Sequence, residues 1–139
     1  MADASTRLST DARLSVHASA PFRARRMLDD LAFAGPRRKD IELLTSELVS
    51  NAVRHAGLSD DDTIRLHVDA ERDWVRVDVC ETGPGLVDPF HARSSPGGWG
   101  LVLVEELADR WGSTREGGES CVWFEVGPPR GGAPASPNA

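Results

Sequence analysis

Three of the four residues in the segment GGWG, at positions 97–100, are glycines, and the segment stands directly before a stretch with helical periodicity. Backbone N–H groups at the beginning of a helix have no partner within the helix, and glycines place no side chain in the way of a ligand. The chemistry that such a segment permits is the binding of a phosphate group. Taken alone the signal is weak, because glycine-rich segments are more often linkers, and this one matches neither the GxxxxGKS nor the GxGxxG pattern.

A carboxylate, Glu81, follows the alternating valines of the segment VRVDV at positions 75–79 and continues their parity. Its side chain should therefore point to the same side of the strand as the valines, where a carboxylate is costly unless hydrogen bonds are donated to it. Gly83 and Gly85 follow, and they allow a tight turn or the close approach of a ligand. A strand end that is open to water would explain Glu81 equally well, so both interpretations stay open.

Two polar residues, Glu47 and Asn51, lie four positions apart in the segment IELLTSELVSNAVRHA, residues 41–56. The apolar residues of this segment recur at helical spacing and predict a helix with one face for packing. Glu47, Asn51 and either Arg54 or His55 fall on a second face. Such a face is often solvated surface, and the helix dipole favours basic residues at a helix C-terminus. The pattern by itself leaves a structural and a functional interpretation open.

Length and charge narrow the class of protein. The chain has 139 residues, of which 40% are hydrophobic, and this suffices for one globular domain with an ordinary core. Its net charge of −6 argues against a general nucleic-acid-binding protein or a polybasic membrane anchor, because phosphates attract positive charge. The N-terminal residues lack the apolar core of a signal peptide. We therefore expect a soluble, cytoplasmic protein.

Two cysteines and two tryptophans lie in segments that predict strands. Cys80 and Cys121 have no CxxC partner and no histidine at metal-ligand spacing, so we expect buried or half-buried free thiols. Trp74 and Trp123 are candidates for an exposed interface, or they simply cover the sheet.

The hydrophobic patterns together predict an α+β fold, a two-layer α/β sandwich in which one mostly antiparallel sheet is covered on one face by three helices. Residues 82–100 are rich in Gly, Pro and Ser and predict a long loop. The predicted order is a flexible N-terminus at 1–11, a strand at 12–20, a helix from 21 to about 35, a helix at 37–56, strands at 64–70 and 75–79, a helix at 101–111, strands at 113–116 and 120–126, and a disordered tail at 127–139.

Three segments together resemble the sequence boxes of a known ATPase superfamily. ELLTSELVSNAVRHA is similar to its N box, CETGPGL to its G1 box and SPGGWGLVLVEELADRWG to its G2 box. The superfamily is that of the gyrase, heat-shock chaperone, histidine kinase and MutL (GHKL) ATPases, and the nearest branch is the small anti-sigma factor serine/threonine kinases of actinobacterial type. The resemblance covers about residues 12–126, as one histidine kinase-like ATPase domain, and implies the Bergerat-type ATP-binding fold.

The resemblance implies a role for each matching residue, with ATP and Mg²⁺ as cofactors. Asn51 would hold the Mg²⁺ that bridges the nucleotide phosphates, since an amide oxygen is a suitable ligand for that ion. Glu47 would act as the general base on the hydroxyl group of an acceptor protein. The remaining nucleotide-binding residues that the resemblance implies are Glu81, Gly83 and Gly85 at the adenine pocket and Gly97, Gly98, Gly100 and Leu101 at the phosphate lid.

One residue departs from the family pattern, because the G1 box normally begins with aspartate and this chain has Glu81. The extra methylene keeps the charge but lengthens the reach by roughly one carbon–carbon bond, and pocket geometry tolerates such shifts poorly. ATP binding is therefore kept with an adjusted pose, weakened or lost.

The function that the resemblance implies is a regulatory serine/threonine kinase. It would transfer phosphate from ATP to a STAS-type anti-sigma factor antagonist, sequester a sigma factor, and form a homodimer. Neither nucleic acid nor a membrane is an expected partner. Two alternatives stay open, namely a protein-interaction module with weak or absent nucleotide binding, and an ATPase subunit that works with a separate sensor protein.

Overall fold

Five strands in the order β1-β2-β3-β5-β4, with every neighbouring pair antiparallel, form one sheet. The computed structural model describes residues 8–29, 37–55, 59, 61–71, 73–82 and 99–128, without the side chains of residues 55 and 99–101. The elements in chain order are β1 Leu8–Ser15, α1 Ala20–Asp29, α2 Arg38–His55, β2 Thr63–Glu71, β3 Trp74–Glu81, α3 Trp99–Leu107, β4 Arg110–Glu116 and β5 Glu119–Val126.

Apolar and polar residues alternate in β2 and β3, and the apolar ones form the core face of the sheet. Ile64, Leu66 and Val68 in β2 are buried, and the polar residues between them point to the opposite face. The register of the β2–β3 hairpin sets Val68 opposite Val77, so the apolar side chains of both strands lie on the same side. The strands predicted at 64–70 and 75–79 are confirmed, and they pair as an antiparallel hairpin.

Three helices cover this core face and bury residues three or four positions apart, as amphipathic helices do. The helix residues of the single core cluster are Ala20, Ala24 and Leu28 of α1, Ile41, Leu44, Leu48, Val49 and Ala52 of α2, and Val104 of α3. None of the helices that the structure describes is long and apolar enough to span a membrane. The predicted two-layer α+β fold is confirmed.

The first strand differs from its prediction at both ends. β1 runs from Leu8 to Ser15, whereas the alternating pattern predicted residues 12–20. Leu8 pairs with Ala70 and Ser15 pairs with Thr63, so β1 matches almost the whole length of β2. Pairing with the neighbouring strand sets the limits of β1, and no local sequence pattern records that pairing.

The third helix also ends earlier than predicted, and the chain changes to a strand. The helical period at 101–111 becomes α3, which ends at Leu107, and β4, which begins at Arg110. Asp109 N–H donates a hydrogen bond of 2.9 Å to the Glu125 carbonyl and starts the pairing with β5. Trp111, predicted on the helix, is buried in β4 opposite Phe124. A short apolar run fits either period, and the contact with β5 decides between them.

The face of the sheet away from the helices, here called the outer face, is covered by charged side chains over two tryptophans. Trp74 and Trp123 are only 6% and 7% exposed, so of the two interpretations the one in which they cover the sheet is supported. The Arg76 guanidinium lies 4.2 Å from the centre of the Trp123 ring, in the geometry of a cation–π contact. Gly112 permits this packing, because a Cβ atom there would lie 2.9 Å from the same ring.

A disulfide bond joins Cys80 and Cys121, so the prediction of free thiols is wrong. The two residues stand directly opposite each other in the β3–β5 register, and their Cα atoms are 4.0 Å apart. The sequence signal was the shared outward parity of both cysteines. Parity alone does not show that the two strands are neighbours. The sheet order does, because it sets β5, and not β4, beside β3.

A histidine on the outer face lies between two carboxylates. His67 Nδ1 is 2.9 Å from Asp11 of β1, and Nε2 is 3.1 Å from Asp69 of β2. Burial lowers the pKa of His67, but the hydrogen bonds and charges of the two aspartates outweigh burial, so the pKa is raised above its ordinary value. The protonated ring therefore helps to attach the edge strand β1 to β2.

Stability should depend on the charge of His67. Because its folded-state pKa is raised, its contribution is fully present below the unfolded-state pKa and is lost as pH rises through the folded-state value. His67→Asn should therefore lower the free energy of unfolding more at about pH 5.5 than at about pH 9, as measured by urea titration. In an Asp69→Asn background this pH dependence should shrink, and an equal cost of His67→Asn at both pH values would contradict the assignment.

Candidate functional site

Two arginines fix the beginning of α2 in relation to the other helices. Arg38 Nη2 donates a hydrogen bond of 2.8 Å to the Leu28 carbonyl near the end of α1. Arg37 donates to the Leu107 carbonyl at the end of α3, and its Nη1 lies 2.9 Å from Asp109 Oδ2. The start of α2 is thereby attached to the ends of both α1 and α3.

Asp109 joins this attachment to the end of the sheet. The Asp109 carboxylate accepts a hydrogen bond of 2.7 Å from Gly127 N–H and also forms an ion pair with Arg37. Burial raises the pKa of Asp109, but the Gly127 and Arg37 hydrogen bonds favour the charged form and outweigh burial, so the pKa lies below its ordinary value. The charged carboxylate holds α2, α3 and the chain after β5 at one point.

Asn51 of α2 is 2% exposed, and neither Oδ1 nor Nδ2 of its side chain has a hydrogen-bond partner among the described residues. A buried amide without a partner destabilises a fold by about 1–3 kcal/mol. Such a group in a native structure calls for an explanation, and a ligand that completes its bonding is one. An amide oxygen is a ligand that Mg²⁺ accepts, so the side chain fits the ion that the resemblance implies.

Glu47 lies one helical turn before Asn51 and differs from it in exposure. Glu47 is half-buried, whereas Asn51 is inside. No hydrogen bond or ion pair joins the Glu47 carboxylate to another residue that the structure describes. This carboxylate is accessible and can accept a proton, as a general base must.

Glu81 ends β3 on the core side of the sheet, as its parity predicts. It pairs with Ile64 of β2 and Ser120 of β5, and it is 7% exposed. A carboxylate at this place is aimed at the layer between the sheet and the helices. The structure therefore supports the interpretation that Glu81 points inward and removes the alternative of a strand end open to water.

The other predicted site residues are described in part. Gly100 and Leu101 lie in the first turn of α3, with the Leu101 side chain outside the described residues. Arg54 is exposed and donates a hydrogen bond of 2.5 Å to the Ser50 hydroxyl. The predicted residues that fall outside the described part of the chain are Gly83, Gly85, Gly97 and Gly98, together with the side chain of His55.

α2 contacts both of the other elements that carry predicted site residues. α2, with Glu47 and Asn51, packs against β3, which ends at Glu81. α2 also packs against α3, whose first turn contains Gly100. These three elements thus carry an inward carboxylate, a buried amide, an accessible carboxylate and a helix N-terminus.

Two comparisons with known proteins find matches to this chain. Residues 10–126 match the family model of the histidine kinase-like ATPase domain. Among solved structures, the RsbU and RsbW domains of Rv1364c from Mycobacterium tuberculosis match with a TM-score of 0.64 and 20% sequence identity. The match covers 93% of this chain and 34% of that one, so the chain spans about a third of the length of that protein, and the likeness is one of fold. A search of curated proteins finds no significant match.

The family match agrees with the resemblance of the three sequence boxes and with the sheet and helices described above. It spans most of the chain, from within β1 to the end of β5. The chain belongs to the family of histidine kinase-like ATPase domains.

Proposed function

We propose that this chain is an ATP- and Mg²⁺-binding regulatory protein of the anti-sigma factor kinase class. It transfers phosphate from ATP to a serine or threonine of a STAS-type antagonist protein and sequesters a sigma factor. The observation that carries the proposal is the buried Asn51 amide without a hydrogen-bond partner among the described residues. Membership of the ATPase-domain family supports it. Formation of a homodimer and a cytoplasmic location stay predictions.

Asn51 is the residue proposed to hold the cation. Its Oδ1 is a hard oxygen atom in a buried position, and a bound cation would satisfy an amide that has no hydrogen-bond partner among the described residues. Bound Mg²⁺ neutralises negative charge on the phosphates of the nucleotide. The Asn51 amide is held in place because α2 is packed against the sheet on its apolar face.

Glu47 is proposed as the general base. Its half-buried carboxylate would accept the proton of the acceptor hydroxyl as that oxygen attacks the terminal phosphate of ATP. Glu47 lies one helical turn before Asn51 on the same face of α2, and this spacing supports the proposal of a base beside a cation ligand. A partner protein can reach Glu47 because this residue is not fully covered by the fold.

The nucleotide base and phosphates are assigned to the two ends of the site. Glu81 at the end of β3 would accept a hydrogen bond from the adenine amino group, with Gly83 and Gly85 beside it. The beginning of α3 would offer backbone N–H groups to the phosphates. The residues proposed there are Gly97, Gly98, Gly100 and Leu101.

Asn51→Leu should separate stability from nucleotide binding. Removal of a buried, unpaired amide should raise the free energy of unfolding of the nucleotide-free protein by about 1 kcal/mol. The native chain should gain about 2.7 kcal/mol from Mg-ATP at about a hundred times its Kd, and the variant should gain nothing. Urea titrations with and without Mg-ATP measure both quantities.

Thr45 provides the matched control for this experiment. Its hydroxyl is also buried on α2 without a hydrogen-bond partner among the described residues, but no role at the site is proposed for it. Thr45→Val should stabilise the nucleotide-free protein and keep the effect of Mg-ATP. An Asn51→Leu protein that Mg-ATP still stabilises would remove Asn51 from the site.

Glu47→Gln should abolish phosphate transfer without abolishing nucleotide binding. With labelled ATP and a STAS-type antagonist protein as acceptor, transfer should fall by about a hundredfold or more, because the general base is lost. Glu42→Gln is the control, since Glu42 lies on the same helix and pairs with Arg38 at 3.2 Å. Native protein that binds ATP and transfers no label contradicts the kinase assignment. Hydrolysis that requires an added sensor protein would favour the ATPase-subunit alternative.

Glu81 favours a second candidate function, a protein-interaction module that binds nucleotide weakly or not at all. The residue is buried at the end of β3, where the longer side chain has little room to adjust relative to an aspartate. In that case partner binding would depend on neither ATP nor Glu47.

Glu81→Asp discriminates between the two candidates. If the site binds ATP, Mg-ATP should raise the melting temperature of both the native protein and the variant. If the chain is an interaction module, the native protein should show no shift and only Glu81→Asp should gain one. The same module should bind its partner protein equally well after Glu47→Ala, and a loss of partner binding in that variant would count against it.

A further inference from the structure

We propose that the Cys80–Cys121 disulfide is a thiol-exchange site. In this proposal a dithiol reductant attacks Sγ of Cys121, Cys80 leaves as a thiolate beside Arg65, and the change is transmitted to Glu81. The exchange chemistry stands on the geometry of the outer face alone. Its effect on ATP rests on the proposed function of Glu81.

The two sulfur atoms differ in access. Cys80 is 1% exposed, whereas Cys121 is half-buried. Exchange proceeds by attack of a thiolate on one sulfur, and access is among the factors that decide which sulfur is attacked. The attacked atom is therefore Sγ of Cys121, and the departing one is Sγ of Cys80.

A guanidinium group stands next to the departing sulfur. Arg65 pairs with Cys80 in the β2–β3 register, and its Nη2 lies 3.6 Å from Cys80 Sγ. Glu119 holds this group through two bonds, from Arg65 Nε to Oε2 at 3.1 Å and from Nη2 to Oε1 at 3.0 Å. A cation beside a thiol favours the thiolate, and a more stable thiolate leaves faster.

The exchange is balanced in two steps. In the first, a sulfur of the reductant bonds to Cys121 Sγ while the Cys80–Cys121 bond breaks, and Cys80 leaves with the electron pair. In the second, the other thiol of the reductant attacks the reductant's own sulfur in the mixed disulfide, and Cys121 leaves as a thiolate that takes up a proton. The products are two reduced cysteines and one oxidised dithiol.

The bond lies next to the residue pair that ends the β3–β5 ladder at the candidate site. Glu81 follows Cys80, Ser120 precedes Cys121, and Glu81 and Ser120 are opposite each other. While the disulfide is present, a covalent link restrains this end of both strands. After reduction only the strand pairing remains, and strand ends open more easily than strand centres.

A metal site is the competing interpretation. Ligand atoms of Cys80, Glu119 and Cys121 lie within 4.8 Å of one another, and reduced cysteines bind Zn²⁺. Both carboxylate oxygens of Glu119, however, already accept bonds from Arg65, so a cation occupies the place of the metal. The arrangement therefore favours exchange over metal binding.

Trapping with a monothiol identifies the attacked sulfur. The oxidised full-length protein is treated with 2-mercaptoethanol, quenched with acid, alkylated and digested, and the peptides are assigned by mass. The mixed disulfide should be on Cys121 and the alkylated thiol on Cys80. An adduct mainly on Cys80 would overturn the proposal.

The rate of reduction by dithiothreitol tests the role of Arg65. Arg65→Met should slow reduction several-fold, Arg65→Lys should restore much of the rate, and Arg76→Met, a change elsewhere on the outer face, should leave it unchanged. A rate that is unaffected by Arg65→Met would overturn the assignment. Stoichiometric Zn²⁺ that stays on the reduced protein and protects both thiols from alkylation would also overturn it.

Two measurements test the connection to Glu81. Reduction should speed amide hydrogen exchange at the ends of β3 and β5 and should weaken Mg-ATP binding by about fivefold or more. The Cys80→Ser/Cys121→Ser protein should match the reduced form and ignore the reductant. Unchanged hydrogen exchange, or equal ATP affinity in both redox forms, would overturn the connection. If neither form binds ATP, the proposed function fails, while trapping and hydrogen exchange still decide whether the exchange site exists.

Discussion

The burial of one face of α2 against the sheet is the contact on which the other features of the molecule depend. Leu44 and Leu48 lie in the common core with the valines of β3, and this packing gives α2 one position relative to the central strands. Arg37 and Arg38 fix the start of the helix to its two neighbours. α2 also contacts β3 and α3, the two other elements that carry predicted site residues.

This arrangement leaves polar groups inside the fold that folding alone does not require. The Asn51 amide and the Thr45 hydroxyl are buried without hydrogen-bond partners among the described residues, and the Glu81 carboxylate lies at the inner side of a strand end. The Asn51 amide and the Thr45 hydroxyl oppose stability, and the apolar core must offset that cost. Sites of function are where such local conflicts are expected, because a bound ligand can satisfy what the protein leaves open.

The outer face follows a different principle, since the three described helices all lie on the core face. Charged side chains form pairs across strands, both tryptophans are buried, and the Arg76 guanidinium lies over the Trp123 ring. Glu125 accepts hydrogen bonds from Trp74 Nε1, at 3.3 Å, and from Arg110 Nε, at 2.8 Å, so buried polar atoms are satisfied here. The disulfide lies on this outer face. Its connection to the core side of the sheet is through β3, which carries one of its two cysteines.

The residue pattern predicts the α+β class, the inward direction of Glu81 and the helical spacing of Glu47 and Asn51, because periods of 2 and 3.6 residues are local properties. Other features depend on contacts between residues that are distant in the chain. Pairing with β2 set the ends of β1, pairing with β5 turned Trp111 from a helix into a strand, and the order of the strands brought Cys80 against Cys121. The burial of the Asn51 amide likewise depends on the sheet and helices around α2. Periodicity predicts which residues share a face of a helix, whereas only packing determines what covers that face.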